Sequence, residues 1–422
     1  MARFRNILKN RNFSLLWVGQ IISQFGDRLD QMALIGLIHK FAPGSTTQIA
    51  KLMTFTILPV FLIGPIAGVY VDRWDRRRTM IISDILRGML VLLIPLWFIR
   101  MQTMLPVYVI VFLVFSIGRF YVPAKMSIIP DLVKSDHLLL ANSLVNTTGM
   151  IASMIGLGLG GILVGIVGAE GGFLIDGVSF IVSGTLIFFL STKLMHELKK
   201  ERLIDVGKEI AEVIRRSIAA ELKDTFQFLL RQKQIRSCFG ILFLVWAALG
   251  SIYVVSIVFI QQVFSSATKE IGFLVVGIGA GLFAGTLIYG RIGSKYKLDG
   301  FRVVFVCIMA SGIALSAFVL TVLKVPSLFL ALALVFILGM VISPVMVISN
   351  TLIQQLTDNS MRGKVFSSFE VVVHFAFLLS MLLTAPLADR IGPVKILLFV
   401  GILLVIIGFT GTISHYDKNR RT

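Results

Sequence analysis

Apolar stretches of about twenty residues follow one another along nearly the whole chain, and the breaks between them are short or basic. A helix of that length matches the hydrocarbon thickness of a bilayer, so each stretch is long enough to cross a membrane. Hydrophobic residues make up 56% of the 422 residues, which leaves too little polar surface for a soluble fold of this size. The pattern predicts an all-α membrane protein.

The stretches predict twelve transmembrane helices, arranged as two pseudo-symmetric six-helix bundles. The predicted spans are 13–40, 48–71, 79–99, 103–123, 138–167, 172–191, 237–262, 270–290, 301–323, 327–350, 364–387 and 394–415. The predicted domains are an N-terminal bundle over 1–191, a cytoplasmic connector with an amphipathic helix over 192–236, and a C-terminal bundle over 237–422. The repeated small-residue motifs Gly64-x-x-x-Gly68 and Gly281-x-x-x-Gly285 support two similar halves.

The net charge of +18 is distributed over alternate breaks between the apolar stretches. Lys and Arg in such breaks determine membrane orientation, so we interpret them as topology signals and expect no nucleic-acid partner. The asymmetry predicts that both termini lie in the cytoplasm. The expected location is the inner membrane. The amphipathic pattern of the connector suits a helix on the anionic inner leaflet, or equally a solvated linker helix.

The first span is costly to insert because Asp27, Arg28 and Asp30 lie near its middle. Each costs about 2.5–3.5 kcal/mol in a membrane helix if it is unpaired. Gln20, Gln24, Asp27 and Gln31 recur at helical steps and form one polar stripe, which is typical of a helix that lines a wet cavity.

Two interpretations of these acids remain open. In one, Asp27 or Asp30 pairs permanently with Arg28 or Arg119 and is structural. In the other, a carboxylate binds substrate or exchanges a proton as the cavity opens and closes. The predicted set for proton coupling or the substrate cavity is Asp27, Asp30, Arg28, Gln24, Gln31, Arg119, Asn142, Asn146, Glu370 and His374.

Some of the polar residues in the spans have a simpler structural interpretation. Asp84 and Arg87 are three residues apart and predict an internal ion pair. Asp176 is expected near the outer end of the sixth span, where a structural role is favoured. Glu370 and His374 lie four apart on one helix face, which suits either a proton relay or a locally satisfied polar pair.

The second span runs into the segment GPIAGVYVDRWDRRR, which begins at Gly64. Small residues four apart allow close helix approach, and an acid followed by several Arg can form an ion-pair latch. This segment resembles the loop signature of the major facilitator superfamily. The resemblance implies a conformational latch formed by Gly64, Gly68, Asp72, Arg73, Arg76 and Arg77; the alternative is that the arginines only anchor the chain on the cytoplasmic side.

Four other segments, FGDRLDQMAL, VPAKMSIIPDLV, FLIDGVSF and MRGKVFSS, resemble the facilitator branch of macrolide-efflux and enterobactin-export proteins. The segment ASMIGLGLGG is a degenerate match to the fifth-helix signature of antiporters, because Leu157 replaces its proline. The resemblance implies two bundles that alternate between inward-open and outward-open states, with a substrate site where they meet.

The function predicted from these features is a secondary active transporter that exports an amphipathic or hydrophobic small molecule, by proton antiport. The alternatives are a lysophospholipid transporter or flippase, and a non-transporting sensor or scaffold. The sequence has no phosphate-binding loop, so we expect an ion gradient and not ATP hydrolysis to supply the energy. It shows no nucleophile–base pairing and no metal-ligand spacing, so we expect no enzyme activity, cofactor or metal. The expected partners are the lipid bilayer, a small amphipathic substrate and protons, and the expected state is a monomer.

Overall fold

A computed structural model describes residues 7–71, 74–101, 103–191, 233–296, 299–356 and 362–420. All regular elements in these ranges are helical. In chain order they are α1 Arg11–Phe41, α2 Thr46–Leu62, α3 Gly64–Val71, α4 Arg76–Met101, α5 Leu105–Leu132, the short 3-10 helix Ser135–His137, α6 Leu138–Phe188, α7 Lys233–Phe264, α8 Lys269–Tyr296, α9 Gly300–Lys324, α10 Leu328–Leu356, α11 Arg362–Ile391 and α12 Pro393–Arg420.

Nine helices in the described ranges are long and apolar enough to span a membrane. One of these, α6, has 51 residues and turns at Gly168, whose φ of 78° is open to glycine but strained for other residues, so α6 provides two crossings. The consecutive helices α2 and α3 together provide one crossing, and α1 has the length of a crossing but carries three charges near its middle. The predicted twelve-span, all-α fold is therefore confirmed.

The first unit of the structure comprises Met1–Phe41 and Lys51–Arg215. In it α1 packs along α6, α4 packs on α5 and α6, and α3 packs on α5. Several α6 glycines allow the close approach of α1. A Cβ atom added at Gly156 would lie 2.9 Å from the Cβ of Arg28, and one added at Gly160 would lie 3.1 Å from the Cα of Leu29. The close packing of α1 on α6 thus depends on residues without a side chain at these positions.

The second unit comprises Ala42–Ala50 and Arg216–Thr422. Its helices pair in the same order as those of the first unit: α7 packs on α11, α8 on α10, and α9 on both α10 and α12. The equivalent pairs agree with two pseudo-symmetric halves. The predicted domain boundaries at 191 and 237 stay predictions, because residues 192–232, including the predicted amphipathic helix of the connector, lie outside the described residues.

Candidate functional site

Two residues of the polar stripe of α1, Gln24 and Asp27, line a cavity of about 170 Å³ inside the first unit. At about 30 Å³ for each water molecule, this volume holds about five waters. It is below the 300–1,000 Å³ that is usual for a drug-sized ligand. The lining residues come from four helices: Ser23, Gln24, Asp27 and Arg28 from α1, Arg87 from α4, Gly118, Tyr121, Val122 and Lys125 from α5, and Ser153 from α6.

Asp27 is the carboxylate of this cavity, and its side chain is 35% exposed. Its nearest ion-pair partner is Arg87, whose Nη1 lies 3.5 Å from Asp27 Oδ1. This distance is at the long end of a hydrogen bond, so the Asp27 carboxylate stays accessible to the cavity.

Arg87 is held more tightly by Asp84, at 2.5 Å between Nη2 and Oδ1, which confirms the predicted internal ion pair. Ser183 of α6 donates a hydrogen bond of 2.7 Å to the second oxygen of Asp84. The guanidinium also lies over the rings of Phe180 and Tyr121, at 4.1 and 4.9 Å from their centroids. Arg87 therefore links α4 to α1, α5 and α6 in a site that is almost closed to solvent.

Among the described residues, neither of the two arginines expected to pair with Asp27 or Asp30 forms an ion pair with Asp27. Arg28 donates a hydrogen bond of 3.1 Å to Gln31, its neighbour on the same helix. The Nε of Arg119 is buried and has no hydrogen-bond partner among the described residues. The ion pair of Asp27 is with Arg87 instead, because the Arg87 side chain reaches the cavity from α4.

Lys125 and Tyr121 line the cavity but are absent from the predicted site. Both are almost fully buried, at 7% and 5% exposure. The predicted fourth span ended at residue 123, whereas α5 continues to Leu132 and places these residues one turn apart on one face. The signal that was available is their spacing of four.

Asp30 and Asp176 are buried outside the cavity lining, at 4% and 0% exposure. Asp176 lies eight residues after the turn at Gly168, within the second part of α6 and not at its outer end as expected. Its Oδ1 accepts a hydrogen bond of 3.1 Å from Ser179.

Two further predicted residues lie on α6 outside the lining of this cavity, and two lie in the second unit. Asn142 and Asn146 are exposed on α6 and do not line it. Glu370 and His374 lie in α11 of the second unit. The side chain of Glu370 is outside the described part of the chain, and that of His374 is half-buried.

In the predicted latch, Asp72 and Arg73 lie outside the described residues. Gly64 and Gly68 are in α3. Arg76 forms an ion pair of 2.8 Å with Asp131 and donates to the carbonyl of Ser127.

Arg77, the last predicted latch residue, donates to the carbonyls of Ile187 and Phe188 at the end of α6. Its guanidinium also lies 5.6 Å from the centre of the Phe188 ring. Arg76 and Arg77 therefore tie the start of α4 to the ends of α5 and α6, all within the first unit.

The model of the Major Facilitator Superfamily matches residues 16–381 of the chain. The chain belongs to this superfamily. Among relatives of this facilitator, the transporter YkuC of Bacillus subtilis is 26% identical, over 98% of this chain and 94% of its own. Macrolide efflux protein A of Streptococcus pyogenes is 22% identical over 94% of both chains, and the multidrug efflux pump Tap of Mycolicibacterium fortuitum is 24% identical over 83% of both.

Solved structures show the same fold for this facilitator. A bacterial homologue of the iron transporter ferroportin, in an inward-facing state, superposes with a TM-score of 0.70 at 15% identity, over 97% of this chain and 100% of the other. A bacterial homologue of the lysosomal transporter Spinster gives 0.68 at 13% identity, over 95% and 96%. The protein is thus a multi-pass membrane transporter with the facilitator fold, and not an enzyme.

Proposed function

We propose that this facilitator exports an amphipathic or hydrophobic small molecule across the cytoplasmic membrane by proton antiport with alternating access. The names of two relatives, a macrolide efflux protein and a multidrug efflux pump, support export of such molecules. The single observation that carries the proposal is that Asp27 lines a cavity with room for a few water molecules, which supports proton exchange.

The geometry around Asp27 provides a way to convert a proton into a structural change. An ionised Asp27 attracts Arg87 of α4 and Lys125 of α5 across the cavity. When Asp27 takes up a proton, this attraction is lost and Arg87 stays with Asp84. Protonation therefore weakens the link between α1 and its neighbours without breaking the buried ion pair, and such a change in one contact can bias a conformational equilibrium.

The volume of the cavity is suited to proton exchange but is too small for binding of the whole substrate. A volume of about 170 Å³ accepts water and protons but not a drug-sized molecule. The three cations Arg28, Arg87 and Lys125 line the cavity around one acid, so a change in the charge of Asp27 acts on all three. We therefore assign this cavity to proton exchange and not to the whole substrate.

The test is transport by the purified protein in liposomes under an imposed pH gradient, with dyes, macrolides, siderophores and lysolipids as candidate substrates. We expect Asp27→Asn to abolish movement driven by the pH gradient while binding of the transported compound is retained. The matched control is Asp131→Asn, a half-exposed carboxylate that pairs with Arg76, and it should transport like the parent protein. Unchanged proton-driven transport by Asp27→Asn would refute the role of Asp27.

A second candidate function, transport of lysophospholipids, is favoured by a larger groove in the first unit. The groove has a volume of about 480 Å³ and lies beside the start of α4. Its lining is mainly apolar, with Ile82, Leu86 and Phe120 along it and Asp75 and Arg78 at one end. An apolar groove with a charged end suits a single-chain lipid. Transport of lysolipids without a pH gradient would favour this function over antiport.

A further inference from the structure

Asp30 of α1 faces the second part of α6, where Asp176 lies. Gly26 of α1 fits directly against Asp176 and Ser179, because a Cβ at Gly26 would overlap both side chains. Three contacts define the register of the two helices: Gly19 with Ser183, Gly26 with Asp176, and Ala33 with Gly172. The residue numbers rise along α1 as they fall along α6, so the two helices are antiparallel.

The register places Asp30 about one helical turn from the point where Gly26 contacts Asp176. Asp30 follows Gly26 by four residues and precedes Ala33 by three, so all three lie on the same face of α1. Its level is therefore between those of Asp176 and Gly172 on the antiparallel partner. Asp30 and Asp176 thus both lie at one tight helix interface that excludes solvent, since Asp30 is 4% and Asp176 0% exposed.

Each of the two groups has an oxygen without a hydrogen bond. Oδ1 of Asp30 and Oδ2 of Asp176 are buried and have no partner among the described residues. The other charged groups that act on this pair are Asp27 of α1 and Arg87 of α4. Arg87 is already bound to Asp84, so it does not neutralise two more acids.

Two ionised carboxylates at this interface would be strongly unfavourable. Each buried charge without a partner costs several kcal/mol, and repulsion between them adds to that cost. One shared proton removes a charge and joins two otherwise unpaired oxygens by an O–H···O⁻ hydrogen bond, which is among the stronger kinds in proteins. We infer that Asp30 and Asp176 hold one proton between them and form a second proton-binding site of this transporter; the inference builds on the proposed proton antiport.

Asp27 connects this pair to the water in the cavity. It lies three residues before Asp30, which places the two side chains on adjacent positions of the α1 surface. A proton can pass from cavity water to Asp27 and on to the pair. Loss of the shared proton would leave two charges facing each other in a dry interface, which forces α1 and the second part of α6 apart or draws in water.

The inference is tested by infrared spectroscopy on the purified protein in lipid nanodiscs, with isotope-labelled aspartate. We expect the parent protein to show the C=O stretching band of a protonated aspartic acid at neutral pH. Asp30→Asn and Asp176→Asn should each remove or shift this band. In a proton titration, each variant should release one proton per molecule fewer than the parent protein. The control Asp131→Asn, which is half-exposed and paired with Arg76, should keep the band.

Two results would overturn the inference. One is the absence of a protonated aspartic acid band from the parent protein at neutral pH. This measurement requires no variant, so it remains decisive even if a substitution prevents folding. The other is a band that remains unchanged in both Asp30→Asn and Asp176→Asn.

The infrared result is independent of the transport assay. If the band is absent but Asp27→Asn still abolishes antiport, the proposed function stands and the shared proton is refuted. If the band is present but transport does not depend on a pH gradient, antiport is refuted, and with it the role of the pair in transport.

Discussion

Arg87 is the residue on which the charged groups of the first unit converge. It binds Asp84 at 2.5 Å, reaches Asp27 at 3.5 Å and lies over the rings of Phe180 and Tyr121. A planar guanidinium can serve acids and aromatic faces at the same time, whereas the compact ammonium of a lysine cannot. Arg87 thus stabilises the site structurally and also responds to the charge of Asp27.

Removing the Arg87 side chain should leave Asp84 as an unpaired buried charge. We expect Arg87→Met to lower the free energy of unfolding in detergent by about 3–5 kcal/mol. The double variant Asp84→Asn with Arg87→Met should recover most of that loss, because no charge is then buried alone. The stabilities of both variants are compared by their midpoints of thermal unfolding. Equal destabilisation by the single and double variants would contradict the ion-pair explanation.

The sequence could predict the acids of the site but not their partners. Asp27 is detectable because a charge within an apolar stretch is costly and its polar neighbours recur at helical steps. The identity of its partner depends on tertiary packing, which brings the Arg87 side chain of α4 into the cavity, whereas local spacing favoured Arg28, which bonds to Gln31 instead. Lys125 was missed because the apolar stretch stops before it, whereas the helix continues to Leu132.

Glycine contacts are what bring the helices of each unit together. In the second unit, Gly281 and Gly285 of α8 lie directly against the backbone carbonyls of Phe336 and Met340 in α10. Without a hydrophobic driving force between helices in lipid, such close backbone approach supplies the packing energy. The repeated small-residue motif was visible in the sequence, but its partner helix was not.

A methyl group at Gly281 should therefore force α8 and α10 apart. We expect Gly281→Ala to destabilise the protein by about 1–3 kcal/mol, because the contact is with backbone, which cannot rotate away. Gly290→Ala is the matched control: it lies on the same helix and has open space where a Cβ would be. Thermal unfolding in detergent compares the two, and equal effects would show that helix propensity and not packing is responsible.

For the whole molecule, the number of crossings was more predictable than their connections. Every crossing needs a long apolar helix, so the twelve spans follow from the sequence even where α6 runs through two of them. The turn between these two depends on one glycine, Gly168, among many in α6. Which helices pair in each unit depends on tertiary packing, and only the structure shows it.

Alternating access requires a contact that differs in strength between two states of the whole molecule. The sequence resemblance assigns this role to Asp72, whereas Arg76 and Arg77 are engaged within the first unit. A hydrogen bond to a charged group contributes about 1.5–3 kcal/mol, and 1.4 kcal/mol changes a population ratio tenfold. Loss of such a bond in one state should therefore shift the conformational equilibrium by at least about tenfold.

We accordingly expect Asp72→Asn to lower the population of the inward-closed state about tenfold and to slow turnover without abolishing substrate binding. Spin labels on the cytoplasmic ends of the two halves measure that population as a distance distribution. Asp131→Asn is the control, because its pair with Arg76 lies within one unit and should leave the distribution unchanged. If both variants shift the distribution equally, the effect reflects the charge of the cytoplasmic surface, and Asp72 is an anchor and not a latch.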